Sequence, residues 1–173
     1  RLGALQSQRV RWTDWFNGVR NIDRILSWLD SLQGEGSAGM NEAVTQAASR
    51  LPATGLVIVI SDWQDEDSSR LPALLGGEGR EVVSVHVFAP AERDPELLKA
   101  AGDLRIIDSE TGEELDVAMN SHALEQYREA WQLFTQGLSD GFLRQRALYV
   151  PVASDAAVED VLLKDWTQLG LIL

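Results

Sequence analysis

The sequence contains no cysteine, only two histidines, and fewer basic than acidic residues. The absence of cysteine excludes disulfides and thiolate metal sites, and it is typical of proteins from a reducing compartment. With 15 Lys and Arg against 27 Asp and Glu, the formal net charge is −12. A chain of this charge repels phosphate backbones, so we expect no nucleic-acid partner.

Long hydrophobic runs and the common catalytic signatures are missing as well. No apolar stretch approaches the roughly 18 residues of a membrane-spanning helix, and no signal peptide opens the chain. Nucleophile elbows, P-loops, Gly-x-Gly-x-x-Gly fingerprints and zinc-type histidine spacings do not occur. We therefore expect no membrane insertion by this segment and a cytoplasmic location. Because the chain begins at Arg1 within a strand-like pattern, we also expect a longer protein, which an upstream segment could tether to a membrane.

The most informative stretch is the apolar run Gly-Leu-Val-Ile-Val-Ile-Ser-Asp at 55–62. Its apolar residues are continuous, which favours a strand covered on both faces in the middle of a parallel sheet. Ser61 and Asp62 then lie at the carboxyl end of that strand, where open α/β sheets bind ligands and ions. The alternative is that these two residues only turn the chain into the acidic loop 63–69.

Strand and helix patterns alternate along the rest of the chain. Further strands are predicted at 2–7, 9–16, 81–88, 104–108, 114–118 and 147–152. Apolar residues at helical spacing predict the main helices after Asn21, from Met40, after Asn120 or Ser121, and after Ser154 or Asp155. This order predicts one α/β domain with a mainly parallel, Rossmann-like sheet, helices on both faces and antiparallel edge strands.

Two features allow both a structural and a functional interpretation. His86 lies within the second apolar strand, where a histidine is more often a core residue than a ligand. The long helix carries an aromatic stripe that includes Tyr127, Trp131 and Phe134, and this stripe could pack in the core or line a groove for a partner.

The acidic residues after the first apolar run raise the question of a metal site. Asp65, Glu66 and Asp67 follow Asp62 closely, and carboxylate oxygens are the ligands that hard cations prefer. A solvated acidic loop is the simpler interpretation, because adjacent carboxylates repel one another unless an ion lies between them. A Mg-dependent hydrolase or phosphatase would use Asp62 and Asp65 at the same strand ends, and this is the enzymatic alternative.

Three segments together carry a resemblance: Gly-Leu-Val-Ile-Val-Ile-Ser-Asp-Trp-Gln-Asp-Glu at 55–66, Val-Val-Ser-Val-His-Val-Phe-Ala-Pro-Ala-Glu-Arg at 82–93, and Ile-Asp-Ser-Glu-Thr-Gly-Glu-Glu-Leu at 107–115. They resemble the bacterial domain-of-unknown-function family 58, a branch of the von Willebrand factor A-like superfamily. The resemblance implies a single domain over 1–173 that lacks the first strand and helix of that fold. It also implies a non-enzymatic role in binding proteins, commonly alongside MoxR-type AAA+ ATPases.

Members of the superfamily often hold Mg²⁺ at the strand ends through an Asp-x-Ser-x-Ser motif, a threonine loop and a further aspartate. The resemblance places Asp62 and Ser61 at the last position, with Ser37 beside Ala38 where the threonine would be. The sequence contains no Asp-x-Ser-x-Ser motif. The resemblance therefore implies a degenerate magnesium site.

The resemblance also predicts where the chain meets its surroundings. Since the absent first strand belongs in the middle of the sheet, two strand edges should face a gap. The loops after Gly34, Ser61 and Ala89 should form the contact face. Within it, Trp63, Asp65 and Glu66 are the predicted partner-binding residues.

Overall fold

The computed structural model describes residues 1–6, 9–33, 40–65, 68–76, 79–97, 104–107, 112–118 and 120–171. Its strands are β1 (Gly3–Gln6), β2 (Arg9–Trp12), β3 (Gly55–Ser61), β4 (Arg80–Phe88), β5 (Leu104–Ile107), β6 (Glu114–Val117) and β7 (Leu148–Ala153). Its helices are α1 (Ile22–Asp30), α2 (Met40–Ala48), α3 (Leu71–Leu75), α4 (Pro90–Arg93), α5 (Ser121–Arg144) and α6 (Val158–Asp160), which continues as a π-helix at Val161–Trp166.

The central feature is a three-stranded parallel sheet in the order β3–β4–β7. Ile58 of β3 lies opposite Val83 of β4, and Val85 of β4 lies opposite Val150 of β7. Helices flank this sheet, and β1–β2 and β5–β6 form antiparallel pairs. The prediction of an α/β fold with a parallel sheet is therefore confirmed. Within the described residues, however, the antiparallel pairs are separate two-stranded sheets and do not border the parallel one.

The position predicted for β3 is wrong. Among the described strands, β3 pairs only with β4 and forms a border of the sheet. Leu56, Ile58 and Ile60 are exposed, whereas Val57 and Val59 pack against the core. A continuous apolar run indicates that both faces of a strand are apolar, but it does not show that both are covered.

Helices cover both faces of β4 and β7. On one face, α2, α3 and α5 contribute to the main core cluster, whose buried members are Val44, Trp63, Leu71, Leu75, Val82, Leu138, Phe142 and Ala147. On the other face, Val83, Val85 and Val150 pack with Trp166 and Leu171 from the C-terminal segment. The alternation of Val82 and Val83 between these clusters follows from the period-two geometry of a strand.

Local signals explain the start of the longest helix. The side chain of Asn120 accepts a hydrogen bond of 2.9 Å from the amide of Ala123, so Asn120 is the predicted N-cap of α5. Asn21 precedes α1 as predicted, but its side-chain amide donates to the carbonyl of Asn17 and does not cap the helix. None of the helices in the described part of the chain is long and apolar enough to span a bilayer.

Helix α1 keeps its apolar side in solvent. Ile22, Leu26 and Leu29 are all exposed, and the helix contains no buried residue. Amphipathic helices of globular proteins normally pack such a stripe against the core. The apolar side of α1 is therefore a surface without a partner among the described residues, as is the exposed face of β3.

We expect adjacent residues of α5 to differ sharply in their contribution to stability. Phe142 has no exposed surface, whereas Leu143 is 74% exposed. Phe142→Ala removes core contacts with Trp63 and Tyr149 and should lower the free energy of unfolding by about 3–5 kcal/mol in urea denaturation. Leu143→Ala is the matched control and should change the free energy of unfolding by less than about 0.5 kcal/mol. Equal losses in the two variants would contradict this placement of α5.

Candidate functional site

The carboxyl end of β3 places Ser61 and Asp62 as the sequence predicts. Ser61 lies opposite His86 in the ladder, and Asp62 follows as the first residue beyond the strand. The Asp62 carboxylate accepts hydrogen bonds from the Gln64 amide at 3.3 Å and the Ser61 hydroxyl at 3.4 Å. Asp62 therefore stabilises the turn, which is the structural alternative for this residue, while its side chain remains exposed to solvent.

Trp63 turns inward at the next position. Its backbone φ is 58°, in the left-handed region that costs a non-glycine residue roughly 1–2 kcal/mol. Its indole N–H donates to the carbonyl of Val85 at 3.0 Å, and its ring packs edge-on against Phe142 with centroids 4.8 Å apart. The side chain has no exposed surface, so Trp63 is a core anchor and the contact face has to be built by its neighbours.

Asp65 links this loop to helix α2. Its carboxylate accepts a hydrogen bond of 3.3 Å from the amide of Met40, the first residue of the helix. A carboxylate at a helix N-terminus satisfies an otherwise unpaired amide and interacts favourably with the helix dipole. Asp65 thus has a structural role beside its predicted role in partner binding. Glu66 and Ser37 lie outside the described residues.

A second link joins the loop to the end of β4. The side-chain amide of Gln64 donates to the carboxylate of Glu92 at 3.2 Å. The same carboxylate accepts a hydrogen bond from the amide of Ala89, the residue before α4. The loops after Ser61 and after Ala89 therefore adjoin, and the bond from Met40 to Asp65 brings the start of α2 beside them.

These residues supply few ligands for a cation. In the described part of the chain no group of three or more His, Asp or Glu side chains could hold a metal ion. The oxygens available at the predicted position come from Ser61 and Asp62, and both side chains already take part in the turn. Mg²⁺ requires an octahedral shell of oxygens at close range. Ser61 and Asp62 alone do not build that shell.

The buried neighbour of the strand ends is His86. Its Nδ1 lies 2.7 Å from the Tyr149 hydroxyl, with which it shares a hydrogen bond, and its Nε2 has no partner among the described residues. The rings of Phe88, Trp131 and Phe134 surround it, with centroids 5.3 to 5.8 Å from the imidazole. His86 is thus the core residue that the sequence predicts, with one of its two nitrogens satisfied.

Burial sets the protonation states of this pair. Desolvation lowers the pKa of His86 below its usual value of 6.5, and the charges of Asp62 and Glu92 offset part of that effect. Desolvation also raises the pKa of Tyr149 to about 12. At neutral pH the pair is therefore uncharged, which suits a site enclosed by aromatic rings.

Sequence reasoning missed the contribution of α4 and of Tyr149. In the run Ala-Pro-Ala-Glu at 89–92, proline at the first helical position followed by Glu92 is a signal for a helix start. Tyr149 pairs with Ser84 across the β4–β7 ladder, two positions before the pair of Pro151 with His86. This diagonal placement brings the phenol to the imidazole, and it depends on a register that local sequence does not reveal.

We expect His86 to make stability depend on pH. Because its pKa in the folded state is lower than the unfolded value near 6.5, the unfolded chain binds more protons in mildly acidic solution. The stability present above pH 6.5 should therefore decrease as pH falls toward the folded pKa, by at most about 1.4 kcal/mol per pH unit from this group. Urea denaturation between pH 7.5 and 5.5 should show a smaller slope of unfolding free energy against pH for His86→Phe than for the wild type.

The exposed His122 provides the control, since His122→Phe should keep the wild-type slope. Equal slopes in all three proteins would contradict the prediction.

Comparison with known proteins identifies a family. The family model described as "Protein of unknown function DUF58" matches residues 4–134, well over half of the chain. Neither the curated proteins nor the solved structures gave a significant match. The matched region begins within β1 and includes β2 to β6, the turn at Asp62 and the first part of α5. The chain therefore belongs to the DUF58 family of proteins of unknown function.

Proposed function

We propose that the chain is a non-enzymatic protein-binding domain of the von Willebrand factor A-like type, and that it works with a MoxR-type AAA+ ATPase. The observation that carries this proposal is the exposed apolar surface on β3 and α1. Ile60 is 67% exposed, and Leu56, Ile58, Leu26 and Leu29 are also exposed. Exposed apolar side chains that recur along one side of a strand or helix in this way are typical of protein interfaces.

The border of β3 adds backbone hydrogen-bonding groups to this surface. Alternate backbone N–H and C=O groups along β3 have no ladder partner on the side away from β4 among the described strands. Such an edge can accept an added strand, with the main chain supplying affinity and alternate side chains supplying specificity. The exposed side chains Leu56, Ile58 and Ile60 alternate in this way along one face.

The predicted contact face adjoins the carboxyl end of this strand. Asp62 is exposed there, and Gln64 and Glu92 connect it to the loop after β4. In the proposal, Ser61 and Asp62 with Ser37 form a degenerate metal site, and a bound Mg²⁺ would complete its shell with oxygens from the partner. The acidic character of the face otherwise favours a partner with basic groups.

The first test concerns the ATPase. We expect Ile60→Lys to weaken binding to a MoxR-type ATPase of the same organism by at least about tenfold in biolayer interferometry, because a charge then opposes burial of the β3 surface. Leu163→Lys is the matched control, since Leu163 is 70% exposed but lies on the C-terminal π-helix. Unchanged binding of Ile60→Lys, or an equal loss in Leu163→Lys, would contradict the assigned surface. No binding by the wild type would refute the partnership.

The second test concerns magnesium. We expect isothermal titration with Mg²⁺ to give a weak binding heat that Asp62→Ala abolishes, because Asp62 is the carboxylate that the resemblance places at the ligand position. Asp30→Ala removes an exposed carboxylate from the end of α1 and should keep the wild-type heat. If the wild type gives no binding heat, the magnesium site is refuted and the partner must be recognised without an ion. Turnover of an aryl phosphate with Mg²⁺ that depends on Asp62 would instead favour the hydrolase alternative.

A further inference from the structure

A groove runs between helix α5 and strand β7 at the carboxyl end of the parallel sheet. It consists of two adjoining openings of about 380 and 440 Å³, which share Arg93, Trp131 and Thr135. Tyr149, Pro151 and Ala153 alternate along β7 and line its other side. We call this surface the α5–β7 groove.

The length of the groove follows from the residues of α5 that line it. Arg128, Trp131, Thr135 and Ser139 recur at helical spacing along one side of the helix. At 1.5 Å per residue they span about 16 Å. An extended peptide covers that distance with about five residues, at roughly 3.3 Å per residue.

The floor of the groove is aromatic and already packed. Phe88 and Trp131 meet edge-on with ring centroids 5.5 Å apart, and both rings contact His86 beneath them. Tyr149 is held by its hydrogen bond to His86. A floor fixed in this way does not have to be ordered when a ligand binds, so less conformational entropy is lost on association.

One cation at the rim, Arg93, has no ionic partner among the described residues. The guanidinium of Arg93 lies 5.7 Å from the ring centroid of Phe88, and no carboxylate in the described part of the chain forms an ion pair with it. Its sequence neighbours are engaged elsewhere, since Glu92 accepts hydrogen bonds from Ala89 and Gln64 and Asp94 pairs with Arg128. Arg128 is also bonded to Glu96 at 3.0 Å.

The charges restrict what can bind beside Arg93. The net charge of −12 repels a long polyanion, although charges separated by more than about 8 Å are largely screened at physiological salt. A single carboxylate placed directly on Arg93 is attracted at short range, where a charge-assisted hydrogen bond can form. The aromatic floor beside it accepts a large apolar side chain.

We propose that the α5–β7 groove binds an extended segment of a partner protein in which an aromatic residue is followed by an aspartate or glutamate. The aromatic side chain stacks on Phe88 and Trp131, and the carboxylate bonds to Arg93. The groove is open along its length and would leave much of a small molecule in solvent, whereas most small-ligand sites enclose their ligand. This proposal rests on the protein-binding function and specifies a second recognition site.

Fluorescence anisotropy with three labelled hexapeptides tests the proposal: Ser-Phe-Asp-Phe-Asp-Ser, its basic counterpart Ser-Phe-Lys-Phe-Lys-Ser, and Ser-Ser-Asp-Ser-Asp-Ser. We expect the acidic aromatic peptide to bind most tightly to the wild-type chain. Arg93→Gln should weaken its binding by about five- to tenfold, because the charge-assisted contact is lost. Arg144→Gln is the matched control, since it removes the same charge from the far end of α5. This variant should bind the acidic aromatic peptide as tightly as the wild type does.

Thr135→Glu supplies an independent variant, because it inserts a carboxylate into the shared part of the groove without changing the aromatic floor. This variant should weaken binding of the acidic aromatic peptide and strengthen binding of the basic peptide. Equal binding of the acidic and basic peptides to the wild type, or equal effects of Arg93→Gln and Arg144→Gln, would overturn the proposal. Displacement of the peptide by a lower concentration of free 3-phenylpropionate would also overturn it and indicate a small-molecule site. No ATPase takes part in this assay, so its outcome is independent of the Ile60→Lys experiment.

Discussion

The indole of Trp63 connects the elements on which the candidate surface depends. Its N–H bonds to a carbonyl of β4, and its ring packs against Phe142 of α5. Because the backbone turns sharply at a positive φ, the indole enters the core while the preceding Asp62 remains in solvent. The direction of the chain at Asp62 and Trp63 is thus set by a core contact. Burial of one aromatic side chain fixes the geometry of exposed groups that never touch the core.

The carboxylates at the strand ends illustrate a competition between folding and recognition. Asp62 stabilises its own turn, Asp65 accepts from the first amide of α2, and Glu92 accepts from the amide just before α4. Each of these bonds satisfies a backbone donor that the fold would otherwise leave unpaired. Acidic residues that are close in sequence therefore need not form a chemical centre. In this domain the groups without a described ionic partner, such as Arg93, and the uncovered apolar faces are the better indicators of function.

The residues show how far sequence alone could predict this structure. The valine-rich strands β3 and β4, the antiparallel pairs and the Asn120 cap follow from local patterns, so the α/β fold was predictable. The border position of β3 was not predictable, because it depends on which other strands pair with β3. The sequence placed Trp63 in the contact face, whereas its side chain has no exposed surface. The aromatic stripe of α5 is divided, since Phe142 is in the core and Trp131 lines a groove.

The border of β3 pairs with no further strand among the described residues, and this has a consequence for the behaviour of the isolated chain. The run Leu-Val-Ile-Val-Ile at 56–60 contains no lysine, no proline and no charge, which are the devices that native edge strands use against self-pairing. Short segments with high β-propensity and low charge are also those that stack into cross-β fibrils. While this strand lies open, concentrated solutions should tend toward ordered aggregation. A cellular ligand that occupies the edge would then act as a chaperone for the domain as well as its binding partner.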